Sequence, residues 1–573
     1  MKKLTGIGAS DGIAIEKVFV LEDIDVTAEK QSITDPDAEK QRLKDALSLA
    51  ESELEAIRDK TKKELDDEHA MIFDAHIQIV NDPEMANQVE SKIDNDLVNA
   101  EYAYQEVANA FAEMFKAMDN DYMKERAADV VDVSRRVIAH LMDITLNDPS
   151  TIDEEVIVVA NDLTPSDTAQ LNKQYVKGFI TNIGGRTSHS AIMARSLEIP
   201  AIVGTKNITE QVQDGDMVIL DGLDGKVIIS PSESDIKTYQ AKAKEYAEKV
   251  KIWEQYTDKK SITEDKHHVE IAANIGSPDD ITSVLNSGAE GIGLYRTEFL
   301  YMNSDELPTE EEQFVAYKKV LEAMGDKKVV IRTLDIGGDK QLDYLKLDDE
   351  LNPFLGHRAL RLCLAEKALF KTQLRALLRA SKYGNLHIMF PMVATLDELR
   401  QAKAVLEEAK TESLADNNEV GEPKVGIMVE IPSVAILADK FAKEVDFFSI
   451  GTNDLIQYSF AAGRMNEKVS YLYQPYNPSL LRLIKMVIDA SHDAGIWTGM
   501  CGEMAGDAVA APILLGLGLD EFSMSASSVL RTRHLFSQLN YEKMQQEATK
   551  VLDFATNQEV KTYFEKIIKE NTQ

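Results

Sequence analysis

Cysteine is nearly absent from this 573-residue chain: Cys363 and Cys501 are the only two. No disulfide framework can hold such a fold, and a reducing compartment, the cytoplasm, is the expected location. Long apolar runs are missing as well. The longest nearly unbroken one, Ala508 to Leu519, is too short to span a bilayer. Asp11 and Glu16 interrupt the N-terminal stretch where a signal peptide would need its apolar core, so no membrane insertion is expected. Positive charge is in deficit: 63 Lys and Arg against 98 Asp and Glu leave a net charge of −35. Nucleic acid and anionic membrane surfaces bind basic footprints, which argues against both as main partners and leaves room for a basic protein. What is present is a globular composition, 44% apolar and 28% charged, in a chain long enough for several domains.

The chain changes character along its length. Leu4 to Leu21 mixes small, apolar and glycine residues and reads as strand and turn. From Ala28 to Leu146 glycine disappears, and Ala, Leu, Glu, Lys and Met recur at helical spacing, as in LKDALSLAESELEAIRDKTKKEL. Several long helices packed as hairpins are expected, with Asn81–Pro83 as one turn. Residues 31–140 carry 26 acidic and 13 basic side chains, so this bundle is acidic. Strand patterns return at Glu155–Ala160, Val176–Asn182 and Met217–Leu220, with Asp221–Gly225 as a hairpin turn. The helices (28–146) therefore read as an insertion into one small α/β domain made of residues 1–27 and 147–231. Ser232–Lys260 follows, with Ile236, Tyr239, Ala243, Tyr246, Val250 and Trp253 forming one apolar seam. With under three heptads, a helical connector is favoured over a coiled-coil partner site.

Residues 261–573 contain eight apolar, β-rich runs: 269–275, 291–299, 329–335, 386–393, 425–432, 446–454, 496–503 and 521–526. Helical patterns such as LDELRQAKAVLEEAK separate them. Eight strand–helix alternations point to a (β/α)8 TIM barrel, with an open doubly wound sheet as the competing reading. The whole is a multidomain α/β protein.

A barrel of this kind carries its active site at the C-terminal ends of its strands. Those ends hold Arg296, Arg332, Glu430, Asn453, Asp454 and Cys501. One arginine alone would be read as a surface salt bridge, but strand-end positions of one barrel share a single rim. Arg296 and Arg332, with Arg358 and Arg464 as further candidates, suit an anion bearing carboxylate and phosphate groups, because guanidinium forks match both. Glu430 and Asp454 offer hard oxygen ligands, few enough for Mg2+, which keeps waters and substrate oxygens in its shell. Cys501 lies in MCGE, either as a small core thiol or as a proton donor to carbon.

The sharpest local pattern is Gly184-Gly185-Arg186-Thr187-Ser188-His189-Ser190, followed by the apolar-periodic AIMARSL. Thr187 and Ser188 are natural helix N-caps, which would place His189 in the first turn, where free N–H groups favour an attached anion. A neutral imidazole there is a nucleophile toward phosphorus, although a lone histidine is more often structural. Thr168 is a candidate hydrogen-bond partner of that ring.

Together, GGRTSHSAIMARSLEIPAIVGT, GLYRTEFLYM, IRTLDIGGDK, GIMVEIPS, SIGTNDLIQY and MCGEMAGD resemble the enzyme I family of the bacterial phosphoenolpyruvate:sugar phosphotransferase system. The resemblance runs in order over essentially the whole chain. It implies Mg2+-dependent phosphoryl transfer from phosphoenolpyruvate to His189, then to a histidine of the phosphocarrier protein HPr. By that likeness Arg296, Arg332, Arg464 and Asn453 hold phosphoenolpyruvate, Glu430 and Asp454 bind the metal, and Cys501 protonates the enolate. It also implies a homodimer through the barrel and a swivelling histidine domain, with the 232–260 helix as hinge arm. Asp66, Asp67, Glu68, Asp74 and Glu84, around Met71, Ile72, Phe73, His76 and Ile77, form a candidate HPr-docking face. The plainer alternative is a solvated acidic face over a core stripe. Two rivals stand: a dikinase or phosphoenolpyruvate synthase, which shares the TSH segment but needs an ATP-binding domain ahead of it, and a non-catalytic HPr-binding scaffold.

Overall fold

A computed structural model describes the chain except residues 1, 22–25, 65–66, 117–120, 145–148, 150–151, 164–166, 168–170, 173, 185–193, 195–198, 303–305, 338–343, 346–349, 464–466 and 573. It comprises two compact units, Met1–Lys249 and Val250–Gln573. Among the described residues no helix is long and apolar enough to cross a membrane.

The first unit is built on an eight-stranded mixed sheet in the order β1-β8-β7-β3-β4-β5-β6-β2. Its strands are β1 (Lys2–Thr5), β2 (Ile7–Ser10), β3 (Ile13–Val20), β4 (Val156–Ala160), β5 (Val176–Thr181), β6 (Ala201–Val203), β7 (Met217–Asp221) and β8 (Lys226–Ile229). The parallel run β3-β4-β5-β6 forms its middle. The unbroken apolar run of β4 follows from burial on both faces. Val156, Val158 and Ala160 enter one apolar cluster, and Ile157 and Val159 enter another. Between β3 and β4 the described residues form five helices: α1 (Pro36–Glu64), α2 (Asp67–Val80), α3 (Pro83–Asp96), α4 (Ala100–Lys116) and α5 (Asp121–Leu141). Their apolar faces close around a separate core that includes Leu54, Phe73, Val89, Tyr104 and Val137. The Asn81–Pro83 turn works as a stop and a start: the Asp82 carboxylate accepts the N–H groups of Glu84 and Met85, and Pro83 opens α3.

A helix over Glu233–Glu254 follows, with no fully buried side chain. Its Lys242 ammonium reaches the buried Asp221 and the exposed Asp224 at the β7–β8 turn, 2.5 and 3.0 Å away.

The second unit is a closed barrel of eight parallel strands: β9 (Glu270–Ile275), β10 (Ile292–Arg296), β11 (Lys328–Arg332), β12 (Asn385–Phe390), β13 (Lys424–Val429), β14 (Phe447–Ile450), β15 (Trp497–Met500) and β16 (Glu521–Met524). The closed ladder excludes the open-sheet alternative. Side chains alternate along the strands, with an irregularity in β10 between Ile292 and Tyr295. Val329, Ile331, Ile427 and Val429 belong to the large core between strands and helices. Leu294, Val330, Met389, Met428, Phe447 and Cys501 form a second, small cluster inside the barrel. The period of two then aims Arg296, Arg332 and Glu430, each two residues beyond an inward neighbour, at the barrel axis. At the opposite mouth the same parity brings Lys328, Glu270, Glu521, His387, Phe447 and Trp497 together. Lys328 pairs with both glutamates and stands 3.5 Å over the Trp497 ring.

Candidate active site

The C-terminal mouth of the barrel holds a chain of alternating charge. Arg332, at the end of β11, is buried; its Nη2 donates to Glu298 Oε1 at 3.1 Å and its Nη1 lies 2.9 Å from Asp335 Oδ2. The other Asp335 oxygen accepts from Arg358 Nη2 at 2.8 Å, and Arg358 Nη1 reaches Asp454 Oδ1 at 3.3 Å. One carboxylate thus clasps two guanidinium groups and fixes their separation. Burial works against both cations, yet Glu298 and Asp335 around Arg332, and Asp335 and Asp454 around Arg358, raise their proton affinity above the ordinary arginine value. The buried Nε atoms of Arg332 and Arg358 have no partner among the described residues. Arg296, at the end of β10, is different. It is exposed and has no carboxylate within ion-pairing distance among the described residues. The crowded mouth displaces enough water around it, with help from the Arg332 charge, to lower its proton affinity. An unpaired guanidinium beside a pair of clasped ones is a receptor for an anion.

Glu430 faces this group from the end of β13 and is almost wholly buried. Its Oε1 accepts the Met392 N–H at 2.6 Å, whereas Oε2 is buried with no partner among the described residues. Burial, with Asp454 and Asp335 adding their negative charge, raises its proton affinity above the ordinary carboxylate range. An orphaned carboxylate oxygen beside a second carboxylate is a donor arrangement that suits a cation. No group of three or more His, Cys, Asp or Glu side chains able to hold a metal occurs among the described residues. Glu430 and Asp454 thus offer two hard oxygen donors, chemistry that suits a divalent cation whose remaining ligands come from elsewhere.

Asn453 and Asp454 sit in the first turn of the Thr452–Phe460 helix directly after β14. The Asn453 amide oxygen accepts from the Tyr473 hydroxyl at 3.1 Å. Cys501, one residue past β15, is buried, with its sulfur 3.8 Å from the Ile450 carbonyl. Burial pushes the thiol up to about 11, against smaller pulls from the Ser449 hydroxyl and the Arg332 charge. It is a protonated thiol at neutral pH. Gly502 is obligatory beside it, since a Cβ there would collide with the Thr452 hydroxyl.

The mouth therefore gathers Arg296, Arg332, Arg358, Glu430, Asn453, Asp454 and Cys501. Arg464, His189 and Thr168 lie outside the described residues. Two acids were missed from sequence, Glu298 and Asp335. A pattern could have found them: both arginines stand in an Arg-Thr pair with an acid one or two positions further on, in RTE and RTLD. On the bundle, Asp66 and the side chains of Asp67, Glu68, Met71 and Ile72 lie outside the described residues. Asp74 and Glu84 are exposed, and Asp74 is 3.3 Å from Arg58. His76 corrects the expectation: its ring is buried, 3.3 Å from Asp129 and 3.8 Å from Asp132, and edge-on to Phe73. Period-3.6 packing turns it, with Phe73, toward the core, so it offers no surface for docking.

Three family models match the chain: "PEP-utilising enzyme, N-terminal" over residues 5–126, "PEP-utilising enzyme, mobile domain" over 152–225 and "PEP-utilising enzyme, PEP-binding domain" over 250–541. The phosphoenolpyruvate-protein phosphotransferase of Priestia megaterium is 60% identical over 560 residues, covering 98% of each chain. That of Bacillus subtilis is 58% identical over 570 residues, covering 99% of this chain and all of that one. A solution structure of an Enzyme I protein, 44% identical, covers 43% of this chain with a TM-score of 0.40. By the family models and the two full-length relatives, the chain belongs to the phosphoenolpyruvate-protein phosphotransferases, the enzyme I family.

Proposed function

We propose that the barrel mouth binds phosphoenolpyruvate and delivers its phosphoryl group to His189, which passes it to a histidine of the small carrier HPr. The observation that carries this reading is the convergence, on one rim, of an unpaired arginine, two clasped arginines, an orphaned carboxylate oxygen and a buried thiol. Arg296 and Arg332, with Asn453, Arg358 and Arg464, would hold the substrate's carboxylate and phosphate. Glu430 and Asp454 would hold Mg2+, which when bound supplies positive charge against the phosphoryl oxygens. Phosphoryl transfer is chiefly positioning and charge stabilisation, and the arginine rim provides both. The His189 imidazole attacks phosphorus in line, and the P–O bond to the enol oxygen breaks. Pyruvate enolate is left, and Cys501 gives its proton to the methylene carbon. A thiol that resists ionisation until about 11 holds that proton ready throughout the physiological range.

His189 has two partners to meet, the rim and the carrier. The Glu233–Glu254 helix, with no side chain fully buried, would be the arm that allows this. The exposed acids of the bundle, Asp74 and Glu84 among them, would steer a basic carrier surface. Pairing of two barrels into a homodimer and a cytoplasmic location complete the proposal. The rival dikinase reading gains nothing from relatives that match this chain end to end under the phosphotransferase name. A His189→Ala variant tests the carrier step: it should lose all transfer to HPr while still binding phosphoenolpyruvate. Retained transfer would overturn the assignment.

A further inference from the structure

The two arginine-bearing strands stop pairing where they become useful. The β10–β11 register ends at Arg296 opposite Arg332, so every backbone group beyond needs a new partner. Several find one from a different direction. Thr297 Oγ1 donates to the Arg332 carbonyl at 3.0 Å, the Thr333 N–H donates to the Met389 carbonyl at 3.0 Å, and the Asp335 N–H donates to Glu298 at 3.2 Å. The Leu334 N–H donates at 2.9 Å to the side-chain oxygen of Gln373.

Gln373 lies on the Lys367–Ala380 helix, packed against the barrel. The helix buries Leu369, Phe370, Leu374, Ala376, Leu377, Leu378 and Ala380, and Gln373 is the polar exception on that face, with no exposed surface. A leucine there would cost less to bury. The carboxamide is instead nearly fully used. Beyond Leu334, its nitrogen donates to Thr297 Oγ1 and to the Tyr317 hydroxyl, both at 3.1 Å. Its orientation is forced. Thr297 spends its proton on the Arg332 carbonyl and Tyr317 spends its own on Gln313 at 3.0 Å, so both hydroxyls can only accept from Gln373.

We infer that Gln373 is a positioning residue for the phosphoenolpyruvate reaction. It acts as an added rung that ties the segment after Arg296 to the segment after Arg332 and so sets the spacing of the two guanidinium groups. The inference rests on the reading that these arginines hold the substrate. Gln373 touches no reacting atom; it acts through Thr297 and Leu334.

The test compares Gln373→Met, Gln373→Leu and Tyr317→Phe in the full-length protein, with Arg332→Lys alongside. Three quantities are measured: KM and kcat for phosphoenolpyruvate–pyruvate exchange, thermal stability, and phosphoryl transfer from phospho-HPr back to the enzyme, a step that bypasses the barrel. A strand-end shift of a fraction of an ångström should lower kcat/KM for the Gln373 variants about 10- to 100-fold, mostly through KM. Return transfer from phospho-HPr should match wild type. Tyr317→Phe also loses a buried hydrogen bond but keeps both ties to the arginine segments, so its KM should stay within about two-fold of wild type. Wild-type KM in either Gln373 variant that folds, or equal losses in Tyr317→Phe, would overturn the positioning role. Wild-type KM in Arg332→Lys would bring down the anion-site reading itself, which is a separate failure.

Discussion

Replacing Asp335 by asparagine removes one negative charge and almost no volume from the centre of the rim. The Asp335 carboxylate sits 2.9 Å from Arg332 and 2.8 Å from Arg358 and is 3% exposed. At an effective dielectric of 20, each contact at such a distance is worth roughly 6 kcal/mol of raw attraction. Part of this survives as hydrogen bonds to the amide oxygen. Removing one partner from a buried ion pair costs about 3–5 kcal/mol, because the remaining charges stay buried and uncompensated. The barrel of Asp335→Asn should therefore melt on the order of 5–10 °C below wild type, at about 2 °C per kcal/mol for a unit of this size. The excess positive charge left behind is also an anion site. Phosphoenolpyruvate at saturating concentration should restore part of the loss, so its stabilising shift should be larger in the variant than in wild type. Calorimetry with and without ligand reads both quantities. A variant that melts with wild-type barrel, or one that gains no more from phosphoenolpyruvate than wild type does, would refute the clasp as described.

Three further outcomes follow from the same geometry. Cys501→Ala should form pyruvate at least 10-fold more slowly with phosphoenolpyruvate affinity largely kept, since the thiol supplies a proton rather than a contact; unchanged turnover in a pyruvate-coupled assay would return Cys501 to the core. His387, edge-on to Phe447 and Trp497, has its imidazole pushed down to about 4 by burial and the Lys328 charge. The unfolded chain takes up that proton near 6.5, so the histidine's stabilising contribution is full above about 6.5 and is lost as pH falls through 4, about 3 kcal/mol in all. Denaturant titrations should show wild type losing that amount relative to His387→Phe between pH 7 and pH 4, and parallel curves would contradict it. The association rate with HPr should fall steeply as salt rises, because steering by the acidic bundle is screened beyond a Debye length of about 8 Å. A rate flat with ionic strength in stopped-flow measurements would remove the acidic face as docking surface.

The barrel was legible because its strands obey local rules. VVIRTLD and GIMVEIP alternate an outward branched residue with an inward one, and the polar residue that ends each run inherits the inward direction. Arg296, Arg332 and Glu430 can be named from sequence as the polar residues at the strand ends of an expected barrel. The residues that tune them are harder to see. Asp335 clasps Arg358 from 23 positions away, Met392 donates to Glu430 across 38, and Gln373 reaches Leu334 across 39. Separations of this kind are set by how helices pack on the barrel, and no short-range spacing records them. His76 shows the converse. Its neighbours in sequence are acidic and apolar, which favours both a docking face and a core stripe, and only the packing of α2 against α5 decides for the core.

The most direct measurement is intact-mass analysis followed by phosphopeptide mapping after mixing the protein with phosphoenolpyruvate and Mg2+. One acid-labile phosphoryl group on His189, discharged when HPr is added, is the result predicted here. Phosphate on another residue, or an unmodified chain under conditions that produce pyruvate, would contradict the account.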